Sequence, residues 1–338
     1  MHIQQLYDEQ FIVKYFKQRV LSLYPDFNNI KKVKINGIKN NIWENSYHVV
    51  VEYDVYFTTA DQKIKRLPLF CSAHSHEPRR NIYAALCFLW DKSFARGNLT
   101  IPHPLFYSQR FRGVFYRGLK GKNLFHFIKA QDIDEVRHLL RLAARWFAKL
   151  HQLPTAGAKN FNRKNSLIAT TIPGSQHWLK KIQDRYPASY ADTYNIFARL
   201  NQAEKTQLAS LCRRYLIHGD AHPENVIRIS KNKIGLIDFT DMCLADFARD
   251  LGTFLQQLEY MAGKFIAAQN IINEFKQIFL NEYIKAAKIK LTADLQQRIA
   301  TYYYWTALRT AVYLLVSQHP EPEQATILIN KIKTELSV

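Results

Sequence analysis

Residues 214–241 hold the side chains best suited to chemistry. They read Tyr215-Leu-Ile-His-Gly-Asp-Ala-His-Pro-Glu-Asn-Val-Ile-Arg-Ile-Ser-Lys-Asn-Lys-Ile-Gly-Leu-Ile-Asp-Phe-Thr-Asp241. Two short apolar runs, Val226–Ser230 and Lys233–Ile237, flank Lys231-Asn232, which predicts a hairpin with a two-residue turn. In that register Asn225 faces Asp238, an amide oxygen beside a carboxylate. Such a pair suits a hard cation such as Mg²⁺. Asp220 stands five residues before Asn225 on a loop tethered by the same hairpin. One carboxylate on a loop and two oxygen ligands at a hairpin mouth meet the needs of phosphoryl transfer. That reaction requires a group to take a hydroxyl proton and a cation to neutralise phosphate oxygens.

The elements that must position these residues follow from hydrophobic periodicity. A helix is expected over 8–22, then strands over 30–38, 47–57 and 64–73. The middle strand alternates as a half-buried antiparallel strand should: Val49, Val51, Tyr53, Val55, Phe57. A helix over about 79–94 and two short strands near 105–107 and 113–116 come next. From Lys122 the pattern is mainly helical. Asp132-Ile-Asp-Glu135 starts a helix whose stripe runs Ile133, Val136, Leu140, Ala143, Phe147, Leu150 until Pro154. Further helices fill 175–212 and 245–336. The expected architecture is a small mixed lobe joined to a larger helical one.

His218-Gly-Asp220, Asn225 and Ile237-Asp-Phe239 together resemble the signature of the aminoglycoside phosphotransferase and choline kinase superfamily. The resemblance implies an α+β, protein-kinase-like bilobal fold. Residues 1–117 would form an N-lobe with a small antiparallel sheet, and 118–338 a mainly helical C-lobe. It also implies an ATP- and Mg²⁺-dependent enzyme that moves the γ-phosphoryl group to an alcohol. Asp220 would be the catalytic base, with His218 bracing its loop, and Asn225 and Asp238 the Mg²⁺ ligands. Tyr116, Arg117, Gly118 and Leu119 resemble the hinge that receives adenine through its backbone. Asp246 and Asp250 resemble two downstream aspartates, Asp250 being read as a brace, and Leu150-His151 resembles the pair closing a C-lobe helix.

The N-terminal part departs from that pattern. The family holds nucleotide phosphates with a strand Lys paired to a Glu on the next helix. Here Leu67-Pro-Leu-Phe-Cys-Ser-Ala73 puts Cys71 or Ser72 at the Lys position, and Arg80-Asn-Ile-Tyr-Ala-Ala-Leu86 has no acid at the expected turn. Glu77 is the nearest acid. Lys63 or Lys65 could serve only in another register; otherwise Arg79 or Arg80 substitutes. The alternative function is a catalytically weak kinase-like binding or regulatory module.

Composition limits the rest. The 338 residues are 47% hydrophobic with 11 Gly and 11 Pro, which excludes a disordered or low-complexity chain. The net charge is +19; residues 1–130 carry 20 basic and 9 acidic side chains, the remainder 27 and 19. An excess of this sign fits a neutral or anionic small-molecule acceptor better than a polycationic aminoglycoside, or else a solvated basic surface. No specific nucleic-acid signature accompanies it. No window approaches the ~20 apolar residues of a membrane span. The N-terminus lacks a signal-peptide profile, so a cytoplasmic location is expected. The sequence leaves the acceptor and the oligomeric state open. Cys71, His74 and His76 could offer three metal ligands, though at no standard zinc spacing. Cys243 has no evident base.

Overall fold

A computed structural model of the chain describes residues 2–77 and 79–337. Among them two compact units form: the described residues up to Gly121 with Ile227–Thr240, and Lys122–Val226 with the described residues from Asp241 onward. The hairpin after Asn225 thus packs with the first unit, apart from the helical residues that flank it in sequence.

The first unit begins with helix α1 (Glu9–Arg19), capped by Asp8, whose carboxylate accepts from Phe11 N. Strands β1 (Phe27–Ile42), β2 (Tyr47–Thr59) and β3 (Ile64–His74) follow. After them come α2 (Arg80–Leu89), β4 (Leu99–Thr100), β5 (His103–Ser108) and β6 (Gly113–Arg117). The antiparallel sheet runs β1-β2-β3-β6-β5. Strict alternation along β2 sends Val49, Val51, Tyr53, Val55 and Phe57 inward, fully buried. With Cys71 and Phe115 they make a core closed by Ile12 and Phe16 of α1. β1 is longer at both ends than its apolar pattern suggests, because pairing with β2 extends it through Asn40-Asn41. A second small sheet places β4 beside the hairpin strand Lys233–Leu236 in parallel.

The second unit holds β7 (Lys122–Asn123), α3 (Leu124–Lys129), α4 (Ile133–His151), α5 (Ser175–Arg185), α6 (Pro187–Ala209) and β8 (Tyr215–Ile217). The first unit's hairpin, β9 (Val226–Ser230) and β10 (Lys233–Leu236), intervenes in sequence. Then follow β11 (Cys243–Ala245), α7 (Ala248–Gly263), α8 (Gln269–Ala287), α9 (Ala293–Val316) and α10 (Pro322–Leu336). Asp132 caps α4 by accepting from Glu135 N at 3.3 Å. Val136, Leu140, Ala143, Phe147 and Leu150 of its stripe are fully buried. α4 packs on α8, and α7 on α9. At Gly252 the α7 and α9 backbones touch: a Cβ there would lie 2.5 Å from Ile299 O, so only glycine permits this approach. Two connections absent from the sequence reading complete the fold. β11 returns antiparallel onto β8, pairing Cys243 with Ile217, and β4 is borrowed by the hairpin. Among the described residues no helix is long and apolar enough to cross a membrane.

Candidate active site

In the second unit the chain leaves β8 and turns sharply at Gly219, whose φ is +83°. A Cβ there would sit 2.3 Å from Asp241 O, so this turn requires glycine. Asp250, one turn into α7 and fully buried, clamps the turn. Its Oδ2 accepts from His218 N at 2.7 Å and its Oδ1 from Gly219 N at 2.9 Å. His151, at the end of α4, approaches the same Oδ2 at 3.0 Å through Nε2, and its Nδ1 is 2.9 Å from the Tyr283 hydroxyl. Burial pushes the Asp250 carboxyl up, but the hydrogen bond from His151, the charges of His151 and His218 and the Gly219 N–H outweigh it and hold it below the usual range. The brace expected of Asp250 is therefore present, and Tyr283 extends it. His218 is wholly buried and contributes its backbone N–H to this clamp.

Asp220 follows at once, with 38% of its side-chain surface open. Its Oδ2 is 3.4 Å from His222 Nε2. Burial raises its carboxyl; the hydrogen bond to His222 and the fields of His222, His218 and Arg309 reverse that and hold it well below the usual range. Asn225 Nδ2 donates to Asp220 O at 2.9 Å and lies 3.0 Å from His222 Nε2. With the amide nitrogen so engaged, its Oδ1 remains as a hard oxygen donor. Asp246 braces the same region: its Oδ1 accepts from Ala248 N at 3.0 Å and from Arg298 at 2.5 Å.

A third support comes from the loop after α4. Asn165 Nδ2 donates to Asp241 at 2.5 Å, its Oδ1 accepts from Ile172 N, and its carbonyl accepts from Arg249. Asn165, Tyr283, Arg298 and Arg309 carry no motif and escaped the sequence reading. Their only signal is a polar residue inside otherwise apolar or irregular sequence. Cys243 Sγ donates to Asn165 O, and burial drives the thiol up to about 12, which leaves it an inert core residue.

In the first unit the hairpin turn is Lys231-Asn232, between β9 and β10, as its spacing predicts. Beyond β10, Asp238 is exposed and adopts a left-handed φ of +63°. Its Oδ1 accepts from Thr240 N at 3.3 Å and Thr240 Oγ1 at 2.6 Å, which leaves Oδ2 as a second hard donor.

The strand ladder puts Cys71 and Ser72 on opposite faces of the sheet. Cys71 is fully buried in the core, so Ser72 lies on the opposite face, flanked by Phe70 and His74. Cross-strand pairing puts His48 beside His74 and Tyr116 beside Phe70 on that same face. Arg79 is buried and its guanidinium reaches His48 Nε2 at 3.1 Å and Glu77 at 3.5 Å. Arg80 is exposed, as are Lys65 at the far end of β3 and Lys63 just before it. Desolvation, then Lys39 and Arg79, lowers His48 to about 4 against a smaller opposing effect of Asp238. Burial and then Asp238 raise the Tyr116 hydroxyl, with Arg79 opposing. Asp238 and Arg79 thus act on the same two residues. Gly118 N donates to Pro68 O at 3.0 Å, and Leu119 approaches Gly235 of β10. Tyr116 and Arg117 end β6. Cys71 does not gather with the two histidines, since His74 Nδ1 accepts the backbone N–H groups of His76 and Glu77.

A model of the phosphotransferase enzyme family matches residues 53–278. The chain belongs to this phosphotransferase enzyme family. Solved structures agree on the protein-kinase-like fold. A choline/ethanolamine kinase family protein from Mesorhizobium loti superposes with a TM-score of 0.59 at 14% identity, covering 97% of this chain and 95% of that one. A thermostable mutant of aminoglycoside phosphotransferase APH(4)-Ia gives 0.59 at 15% identity, covering 97% and 98%. ADP-bound aminoglycoside phosphotransferase APH(2'')-Ib gives 0.54 at 13%, covering 96% of each. No curated protein sequence matches the chain.

Proposed function

We propose that this family member transfers the γ-phosphoryl group of ATP, with Mg²⁺, to an alcohol group of a small neutral or anionic molecule in the cytoplasm. The observation that carries this reading is the clamp on residues 218–220, where a buried carboxylate spends both oxygens on two backbone N–H groups to hold Asp220 in place. Asp220 is the base: ionised at neutral pH, it accepts the hydrogen bond of the acceptor hydroxyl and takes its proton. The acceptor oxygen then bonds to the γ-phosphorus as the bond to ADP breaks. Asn225 Oδ1 and Asp238 Oδ2 are oxygen donors of the kind Mg²⁺ takes. When bound, that cation neutralises charge on the phosphate oxygens. Arg79, ion-paired to Glu77, takes the part of the missing Lys-Glu pair, and the backbone of Tyr116, Arg117, Gly118 and Leu119 receives the adenine.

The presence of Ser72 where the family carries Lys favours a second reading, a kinase-like binding module with little turnover. Calorimetry with ATP, with and without Mg²⁺, together with ADP release over a panel of small alcohols separates the two. Asp220→Ala is expected to keep nucleotide binding and melting temperature while lowering turnover about 10²–10⁴-fold. Asp238→Ala is expected to abolish the Mg²⁺ dependence of binding. Full turnover in Asp220→Ala overturns the enzyme reading. Binding of Mg-ATP without turnover on any alcohol supports the module.

A further inference from the structure

In the second unit, α5, α9 and the segment Thr171–Pro173 enclose a cavity of about 200 Å³. Its volume is below the ~300–1,000 Å³ of sites for drug-sized ligands, and suits a small metabolite. The walls are apolar: Trp178 and Trp305 are nearly fully buried, and Val312 lies along the same helix as Trp305. The titratable groups on the lining are His177, Lys181, Arg309 and Tyr313; the formal charges are those of Lys181 and Arg309, both positive, and among the described lining residues no carboxylate joins them.

Two further observations point to a ligand. The indole Nε1–H of Trp305 is buried and has no acceptor among the described residues. A buried indole donor ordinarily finds a partner, and leaving it unmade costs free energy. Arg309 stands one helical turn beyond Trp305, so the two share a face of α9. Burial and then the neighbouring Arg249 work against its charge, with Asp220 and Asp241 opposing.

We propose that this cavity holds the acceptor, and that the acceptor is an alcohol with a small apolar or aromatic body bearing one anionic group, a carboxylate or a phosphate. The inference rests on the reading of Asp220 as the base. The indoles hold the body, Trp305 Nε1–H gives one hydrogen bond, and Arg309 with Lys181 supplies the counter-charge. The hydroxyl proton passes to Asp220, the alcohol oxygen bonds to the γ-phosphorus, and ADP leaves with the electron pair of the broken bond. A polycationic acceptor would meet the charges of Lys181 and Arg309 with no carboxylate on the described cavity lining, and is disfavoured by repulsion.

Tryptophan fluorescence reads the cavity directly, because two of the five tryptophans line it. The probes are one scaffold with four substituents: 4-(hydroxymethyl)benzoate, 4-(hydroxymethyl)phenyl phosphate, 1,4-benzenedimethanol and 4-(hydroxymethyl)benzylamine. At least one anion is expected to bind 10-fold or more tighter than the amine, and the ratio of the two anions distinguishes carboxylate from phosphate. Arg309→Gln is expected to bring the anion-to-amine ratio near one. Equal or tighter binding of the amine, or an unchanged ratio in Arg309→Gln, overturns the inference. If Arg309→Gln does not melt cooperatively, half-buried Lys181→Gln takes its place, with a threefold or greater loss of the ratio expected and an unchanged ratio counting against. Mg-ATP binding on the same samples keeps the two readings apart. Wild-type protein that binds Mg-ATP but prefers the amine overturns the acceptor class alone. Anion preference without Mg-ATP binding supports the cavity and overturns the kinase reading.

Discussion

The two units treat their buried polar groups differently. In the helical unit one carboxylate, Asp250, answers two backbone N–H groups and a histidine, and the geometry depends on Gly219 having no Cβ. Backbone contacts of that kind tolerate almost no substitution, so they leave a fixed string of residue types in the sequence. In the sheet unit Arg79, the cation proposed above for the work of the absent strand lysine, arrives from the start of a helix and reaches across to His48 and Glu77. A long flexible cation can come from several elements, so no spacing announces it. Signatures survive where the backbone is held and disperse where a side-chain charge suffices.

The sharpest way to break that contrast is Asp250→Ala. It strands two backbone donors and His151 in a dry interior and is expected to cost about 3–5 kcal/mol. Urea unfolding measures this; a loss below about 1 kcal/mol would mean that the loop holds itself. Next in size is the cation comparison in the sheet unit. Arg79→Ala should weaken ATP binding about tenfold, or ~1.4 kcal/mol, with Arg79→Lys recovering part of it and exposed Arg80→Ala within twofold of wild type. Equal effects at both positions would remove Arg79 from its assigned role. The smallest effect is in acid. The Asp250 carboxyl is held below its unfolded value near 3.9, so it adds stability above that value that is lost as pH falls below about 4. Asp250→Asn should therefore flatten the acid limb of a melting-temperature profile between roughly pH 4 and 2. A profile parallel to wild type would assign that limb to other carboxylates.

Most of the architecture was legible in the sequence because it rests on local periodicity. The alternation of β2, the stripe of α4 and the turn at Lys231-Asn232 each follow from neighbouring residues alone. What escaped depends on partners far along the chain. β11 has three residues and no pattern of its own; it is a strand only because β8 lies beside it. Asn165 looks like any loop asparagine until Asp241, Ile172 and Arg249 converge on it. Arg309 reads as a charge interrupting an apolar helix, and its meaning comes from Asp220, 89 positions earlier in the sequence. Cys71 and Ser72 could be told apart only by the sheet register, which one residue of slip would invert.

The long outer strand β1 gives the chain's basicity another meaning. It is an edge of its sheet, and it carries Lys31, Lys32, Lys34 and Lys39 with no acidic residue along its 16 positions. An unpaired edge of that length is a template for a strand from another molecule, and a row of ammonium groups repels an identical row. Part of the +19 charge thus serves to keep copies of the protein from zipping together, independently of anything the enzyme binds.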